Sequence, residues 1–405
     1  MPMSGEIHSG GSPEHNKDPS HAFDKATLGS SSLLHVSIPE TLGGLPIAQI
    51  SGTAYERGLQ HGRRFGAEIQ ECINIYQSLW SGLSRLERES VASSSAEIIE
   101  RTFPQYIPEI RGIAHGARVS ELDIFALNAR TELTLYQMLR SAQLGLTAPS
   151  TPAAHECTLF ASASKGILGE NWDWALKVER ITQLLHIKRE DGHEIFTMTE
   201  PGIIAKVGMN SAGIAVGLNF IPGTEYRPGV PVHILLRACL DCSSFEEIEN
   251  LLYGLKDKNL LGTMSAISVV DNRGNGDTFE IIGRHLIRTK MPGRDLFEHT
   301  NHPITNPDGF GTTDLENSLT RLNTARSLAE SDTFSVDLVK KSLAENSHGP
   351  DSICMAPKDW GAVGLVGTIR SVVFDVTRRE FHISRGMPRT DGIPTEYDTL
   401  KLFAA

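Results

Sequence analysis

His155-Glu156-Cys157-Thr158-Leu159-Phe160-Ala161-Ser162-Ala163 is where the period of the chain changes. Upstream, from about Gly52 to Leu144, apolar residues recur at mixed three- and four-residue spacing, as in Ile69, Cys72, Ile73 and Tyr76. That spacing predicts helices, over Thr53–Trp80, over Ile98–Ala117 split by Pro104 and Pro108, and over Leu122–Leu139. Between the two regimes lies Thr147-Ala148-Pro149-Ser150-Thr151-Pro152-Ala153-Ala154, with the composition of an exposed linker. Downstream, Cys157–Ala163 and Ile167–Trp174 read as strands, as do Leu184–Lys188, Glu194–Met198, Ala205–Met209 and Ile214–Phe220, with a turn at Asn210-Ser211-Ala212-Gly213.

Helical spacing returns at Val230–Cys242 and Phe245–Leu255, strands at Ala266–Val270, Thr278–Ile282 and His285–Thr289, helices at Glu316–Ala329 and Val336–Glu345, and strands at Thr368–Val376 and Glu380–Ser384. Strand blocks separated by helix pairs predict two stacked sheets with helices outside, a four-layer α-β-β-α arrangement of α+β class. The organisation expected is a disordered tail over residues 1–40, poor in apolar residues, a helical part over 41–156 and a layered part over 157–405.

Composition narrows the function. With 40% hydrophobic and 21% charged residues, the chain has the make-up of a soluble globular protein. The formal net charge of −11 comes without blocks of Lys and Arg, which argues against nucleic acid and anionic membranes as partners. No apolar run is long enough to span a bilayer. The five cysteines form no disulfide framework, and no secretory leader is read, so a reducing, cytoplasmic setting is expected. Cys239 and Cys242 form a C-x-x-C on a helix without a second ligand pair, so no metal site is expected.

Taken alone, Cys157 is a small buried hydrophobe, as most free cysteines are. Its surroundings add to this. Thr53-Ala54-Tyr55-Glu56-Arg57-Gly58, Gln60-His61-Gly62, Leu127-Asn128-Ala129-Arg130-Thr131-Glu132, Gly169-Glu170-Asn171-Trp172-Asp173-Trp174, the run Glu200–Gly213, His299-Thr300-Asn301-His302 and Ser352-Ile353-Cys354 follow one another in order. Together they resemble the isopenicillin N acyltransferase family, also called peptidase family C45, from about Gly52 to Pro388. Members of that family look like N-terminal-nucleophile hydrolases. The resemblance implies the same α-β-β-α layering that the strand and helix blocks predict separately.

The resemblance also implies a chemistry. Cys157 attacks the carbonyl of Glu156, the chain splits between them, and the freed α-amine of Cys157 becomes the base for its own thiol. The two fragments remain together as an α/β heterodimer. Asn301 supplies an oxyanion donor, although Pro303 nearby also suits a turn at Asn301. Asp173 orients the site, or closes a strand end. Ser265 and Trp172 match positions that meet substrate, or are an ordinary strand start and a core residue. His61 reads as a helix residue packed beside glycines.

Two positions depart from the penicillin-forming members. Glu156 stands where they have Gly, and Met355 stands where they have an Arg that meets a substrate carboxylate. A less polar acyl or amine group is expected here. The leading reading is an acyltransferase acting on small amides in secondary metabolism, needing no cofactor, with acyl-CoA as an acyl donor substrate. A hydrolase of N-acyl amines or small peptides, and a scaffold that has lost activity, are the alternatives.

Overall fold

The computed structural model describes residues 38–145, 157–290, 293–305, 316–329, 333–388 and 394–403. Nearly all of the expected tail, the linker and Glu156 lie outside the described residues. The first described elements are two strands, β1 (Thr41–Leu42) and β2 (Leu45–Ser51), which the helical reading of this part did not anticipate. β2 runs parallel to a strand well over a hundred residues later, with Ile47 opposite Leu184. A local period cannot report a partner that far away.

Thr53 then caps α1 (Ala54–Arg64) in a capping box with Glu56. The expected helix over Thr53–Trp80 is two helices, because α1 ends at Phe65 and α2 (Gly66–Leu79) begins a new axis. Ser84 and Glu87 form a second capping box at the head of α3 (Arg85–Thr102). Pro108 sits in the first turn of α4 (Ile107–Ala117), where its missing N–H costs nothing. α5 (Glu121–Asn128) and α6 (Arg130–Gln143) replace the single helix expected over Leu122–Leu139, with the break at Ala129.

Helices α1 and α4 lie in close contact, and the sequence shows why. Gly58 and Gly62 on α1 face Gly112 and Gly116 on α4, and a Cβ on any of the four would collide with backbone of the other helix.

After Cys157 come β3 (Thr158–Ser162), β4 (Ile167–Ala175), β5 (Gln183–Lys188), β6 (Glu194–Thr199), β7 (Val207–Asn210) and β8 (Ile214–Phe220). Then follow α7 (Val232–Leu240), α8 (Phe245–Asp257), β9 (Ser265–Asp271), β10 (Gly276–Ile282), β11 (His285–Arg288) and β12 (Leu296–His299). The chain continues through α9 (Glu316–Ala329), α10 (Val336–Leu343), β13 (Lys358–Asp359), β14 (Leu365–Asp375), β15 (Glu380–Ser384) and β16 (Tyr397–Lys401).

Among the described residues, one sheet has the order β1-β2-β5-β6-β7-β8-β9-β10-β11 and the other β12-β3-β4-β14-β15-β16, with β13 paired to β14. β3 and β4 lie against β8 and β9, α7 and α8 pack on the first sheet, and α9 and α10 pack on the second. The layering is therefore α-β-β-α, as the strand and helix blocks predict. Alternation along β4 shows both faces of its sheet. Glu170 accepts the Leu218 N–H of the facing sheet, whereas Asn171 donates to the carbonyls of Leu343 and Ile353 on the helical side.

Candidate active site

Cys157 is 2% exposed and immediately precedes β3. Its φ of 57° lies in the left-handed region, which costs a non-glycine residue about 1–3 kcal/mol. Two side chains hold its carbonyl oxygen: Arg321 Nη1 donates at 2.9 Å and Asn219 Nδ2 at 3.1 Å. Its thiol hydrogen-bonds Glu170. Burial pushes the Glu170 carboxyl up to about 8, against the opposing pull of the Leu218 N–H, Lys206 and the Cys157 contact. Gly217 makes room for this carboxyl, since a Cβ there would stand 2.8 Å from Glu170 Oε2.

The other expected residues gather around this point to different degrees. Asn301 follows β12, buried, and its amide orientation is fixed by its neighbours. Arg321 Nη2 donates to Asn301 Oδ1 at 2.8 Å, so the opposite end is Nδ2, which donates to Phe220 O at 2.9 Å. The Asn301 N–H donates to Ser318 Oγ at 2.8 Å.

Asp173 sits on β4 facing the helical layer and is fully buried. Burial pushes it up to about 7, although Arg321 and Thr368 pull the other way. Thr368 donates to Asp173 Oδ1, while Oδ2 is buried and meets no hydrogen-bond donor.

Trp172 points to the inter-sheet side with Glu170, and Lys206 Nζ stands 3.4 Å from its ring centroid. Ser265 begins β9 directly opposite Phe220, and its hydroxyl is 3.3 Å from Thr263 Oγ1. It therefore stands one strand removed from Asn301. His61 belongs to the packing of α1: Gly202 N–H and Gln183 both reach its Nε2, and burial pulls the ring down to about 4, so it is neutral. Met355 is buried in the main core, where the penicillin-forming pattern has a cation. Cys239 is buried in α7, and Cys242 just beyond it donates its thiol to Ala238 O.

Three residues at the site escaped the reading of the sequence. Glu170 stands in a quoted motif, but only period-two alternation would have set it apart from Asp173 and onto the thiol's side. Asn219 is a polar residue inside an apolar strand, which is a usable signal. Arg321 is one of two arginines on α9 and carries no signal at all.

Residues 161–390 match the family described as acyl-coenzyme A:6-aminopenicillanic acid acyl-transferase, which is more than half of the chain. The chain belongs to this family. The match to the acyl-transferase family begins four residues after Cys157. The chain is 28% identical over 344 residues to the acyl-coenzyme A:6-aminopenicillanic-acid-acyltransferase 40 kDa form of Emericella nidulans, covering 83% of this chain and 91% of that protein. It is 26% identical over 213 residues to an uncharacterized protein of Archaeoglobus fulgidus, covering 46% of this chain and 34% of that one.

Among solved structures, penicillin V acylase from Agrobacterium tumefaciens superposes with a TM-score of 0.41 at 13% identity, covering 61% of this chain and 86% of that one. A variant of conjugated bile acid hydrolase from Clostridium perfringens gives 0.39 at 12% identity, covering 61% and 97%. Membership of the acyl-transferase family makes the chain an enzyme of acyl transfer. Among the described residues, no helix is long and apolar enough to cross a membrane.

Proposed function

We propose that this family member is a self-processing cysteine enzyme whose nucleophile is Cys157. The thiol attacks the carbonyl carbon of Glu156, an N-to-S shift gives a thioester, and water hydrolyses it. The peptide bond is lost and Cys157 becomes a chain start. Its α-amine, with an ordinary pKa of about 7.7–8, then takes the thiol proton in each later turnover. An amide or thioester substrate acylates Cys157 while Asn301 Nδ2, which has a second N–H beyond the one on Phe220, donates to the oxyanion. The acyl group passes to an amine or to water.

One observation carries this reading. Carboxyl, guanidinium and amide groups from three different elements converge on the single residue Cys157. The left-handed φ of Cys157 adds strain beside the bond to be broken, and the donor-free Asp173 Oδ2 suits the α-ammonium that cleavage creates. The two fragments stay together as a heterodimer, because β2 is a strand of the sheet that β5 belongs to. The buried apolar Met355 supports a less polar acyl or amine group than a penicillin carboxylate, with acyl-CoA as donor.

Gel electrophoresis and N-terminal sequencing of the purified protein test the processing. The 44.2 kDa chain is expected to give a fragment beginning Cys157-Thr158-Leu159-Phe160, and Cys157→Ala to stay whole. A wild-type chain that remains intact while turning over substrate would sink the proposal. Transfer and hydrolysis share the acyl-enzyme, so assaying acyl product with and without an added amine acceptor separates them.

A further inference from the structure

The geometry points to Arg321 as the positioning residue that sets the polarity of the oxyanion donor, a role that rests on the reading of Cys157 and Asn301 above. Arg321 lies on α9 and is 1% exposed. Its donors are spent on four acceptors: Nε on Asn317 Oδ1 at 2.9 Å, Nη1 on Cys157 O at 2.9 Å and on Thr158 Oγ1 at 3.0 Å, and Nη2 on Asn301 Oδ1 at 2.8 Å. Among the described residues, no carboxylate comes within ion-pair distance of the guanidinium. Asp173 and Asp351 attract it from beyond that distance, but burial still penalises its charge, and its hydrogen bonds run to neutral acceptors. What it does accomplish is to join the nucleophile's own carbonyl to the amide of Asn301.

The consequence follows from donor chemistry. A guanidinium only donates, so it selects the orientation of Asn301 in which Oδ1 faces Arg321 and both N–H groups of Nδ2 face away. One of these meets Phe220 O and the other remains for a developing oxyanion. With Arg321 removed, the amide loses the group that distinguishes its two ends. The flipped amide turns a carbonyl oxygen towards both Phe220 O and the oxyanion. Arg321 thus acts through Asn301, in the transition state more than in the ground state, and its loss falls on kcat.

The test is a double-mutant cycle on the processed full-length enzyme, with p-nitrophenyl butyrate as the acylating probe. Arg321→Met is expected to lower kcat by about 10²–10³ with KM changed less than about threefold, as Asn301→Ala does. In the Asn301→Ala background the same Arg321 substitution is expected to have almost no further effect, because the group it positions is gone. Arg321→Lys keeps a donor and recovers part of the loss. Where Arg321→Met does not fold or process, Arg321→Lys carries the same cycle, and its deficit must vanish beside Asn301→Ala.

Losses that multiply in the double variant, or wild-type kcat in the Arg321 variants, overturn the inference. Wild-type kcat in Asn301→Ala would instead overturn the oxyanion role on which it rests.

Discussion

The hydroxyl of Thr368 donates to Asp173 Oδ1 at 2.6 Å while accepting the Met355 N–H at 2.8 Å. An N–H cannot accept, so the hydroxyl hydrogen is committed to Asp173. The carboxyl is thereby held with Oδ2 turned to where no donor yet exists. Thr368→Val keeps the shape and removes both bonds, leaving a buried N–H unpaired and Asp173 without its donor, which destabilises by about 1–3 kcal/mol. It is expected to slow the break before Cys157 by at least about tenfold, whereas Thr368→Ser processes like wild type. Densitometry of the fragments over time checks this, and equal half-times for the Val and Ser variants would refute the role of the bond.

The four glycines between α1 and α4 make a separate prediction about stability. A Cβ at Gly116 would stand 2.6 Å from Leu59 O, and those at Gly58, Gly62 and Gly112 would lie closer still to backbone atoms that cannot rotate away. Gly62→Ala or Gly112→Ala must push the two helices apart and is expected to cost at least about 1–3 kcal/mol, as overpacking does. Gly254→Ala is the control: it lies in α8 with nothing within 4 Å of its would-be Cβ, and there alanine is expected to stabilise by about 0.5–1 kcal/mol. Urea midpoints of the three variants give the comparison.

The two predictions draw on parts of the molecule that were unequally legible in the sequence. Strands such as Ile214–Phe220 and Glu380–Ser384 were readable to the residue, because burial on one or both faces writes a local period. β2 was not, since its partner β5 is remote, and neither was β12, four residues long. At the site, Cys157 and Asn301 stood out by motif, and the structure ties both to Arg321. Glu170 and Arg321 did not, because what singles them out is the layer each side chain enters and what it meets there. That information lies in sheet stacking and helix orientation, not in spacing.

Glu170 offers a pH prediction. Its carboxyl is held up at about 8 by burial, against an ordinary value of 4.5, and Asp173 at about 7 against 3.8. Between the unfolded and folded values the native state holds a proton that the unfolded chain has released. Unfolding free energy therefore falls as pH rises, and this contribution is full below the unfolded pKa and lost through the folded one. In a Cys157→Ala background, which keeps the chain whole, adding Glu170→Gln is expected to shrink the fall in stability between about pH 5 and about pH 8, by an amount on the order of a few kcal/mol. Denaturant unfolding at the two pH values measures it, and the shared background removes the contribution of His61 and other groups titrating in the window. An unchanged pH slope in the Gln variant would show that Glu170 is ionised at neutral pH after all.

Glu109 bears on how the two proposed fragments stay joined. It is buried on α4, bonded by Arg57 of α1 at 2.9 Å and by Arg237 of α7 at 2.8 and 3.0 Å, so one carboxylate links residues from either side of Cys157. Burial would raise it, but Arg237 and Arg57 outweigh that and hold it below the usual carboxylate range. Removing it leaves the Arg57 guanidinium without its carboxylate and Arg237 with Asp241 alone, and breaking a buried pair in this way typically costs about 3–5 kcal/mol. Glu109→Gln is the milder change, since it keeps an acceptor but not the charge. In processed enzyme, Glu109→Ala is expected to release the 1–156 fragment from the 157–405 fragment at lower urea than wild type, with Glu109→Gln between them. Size-exclusion chromatography across a urea series reads the dissociation. Identical midpoints for all three would place the cohesion of the fragments elsewhere, in the β2–β5 pairing and the apolar core.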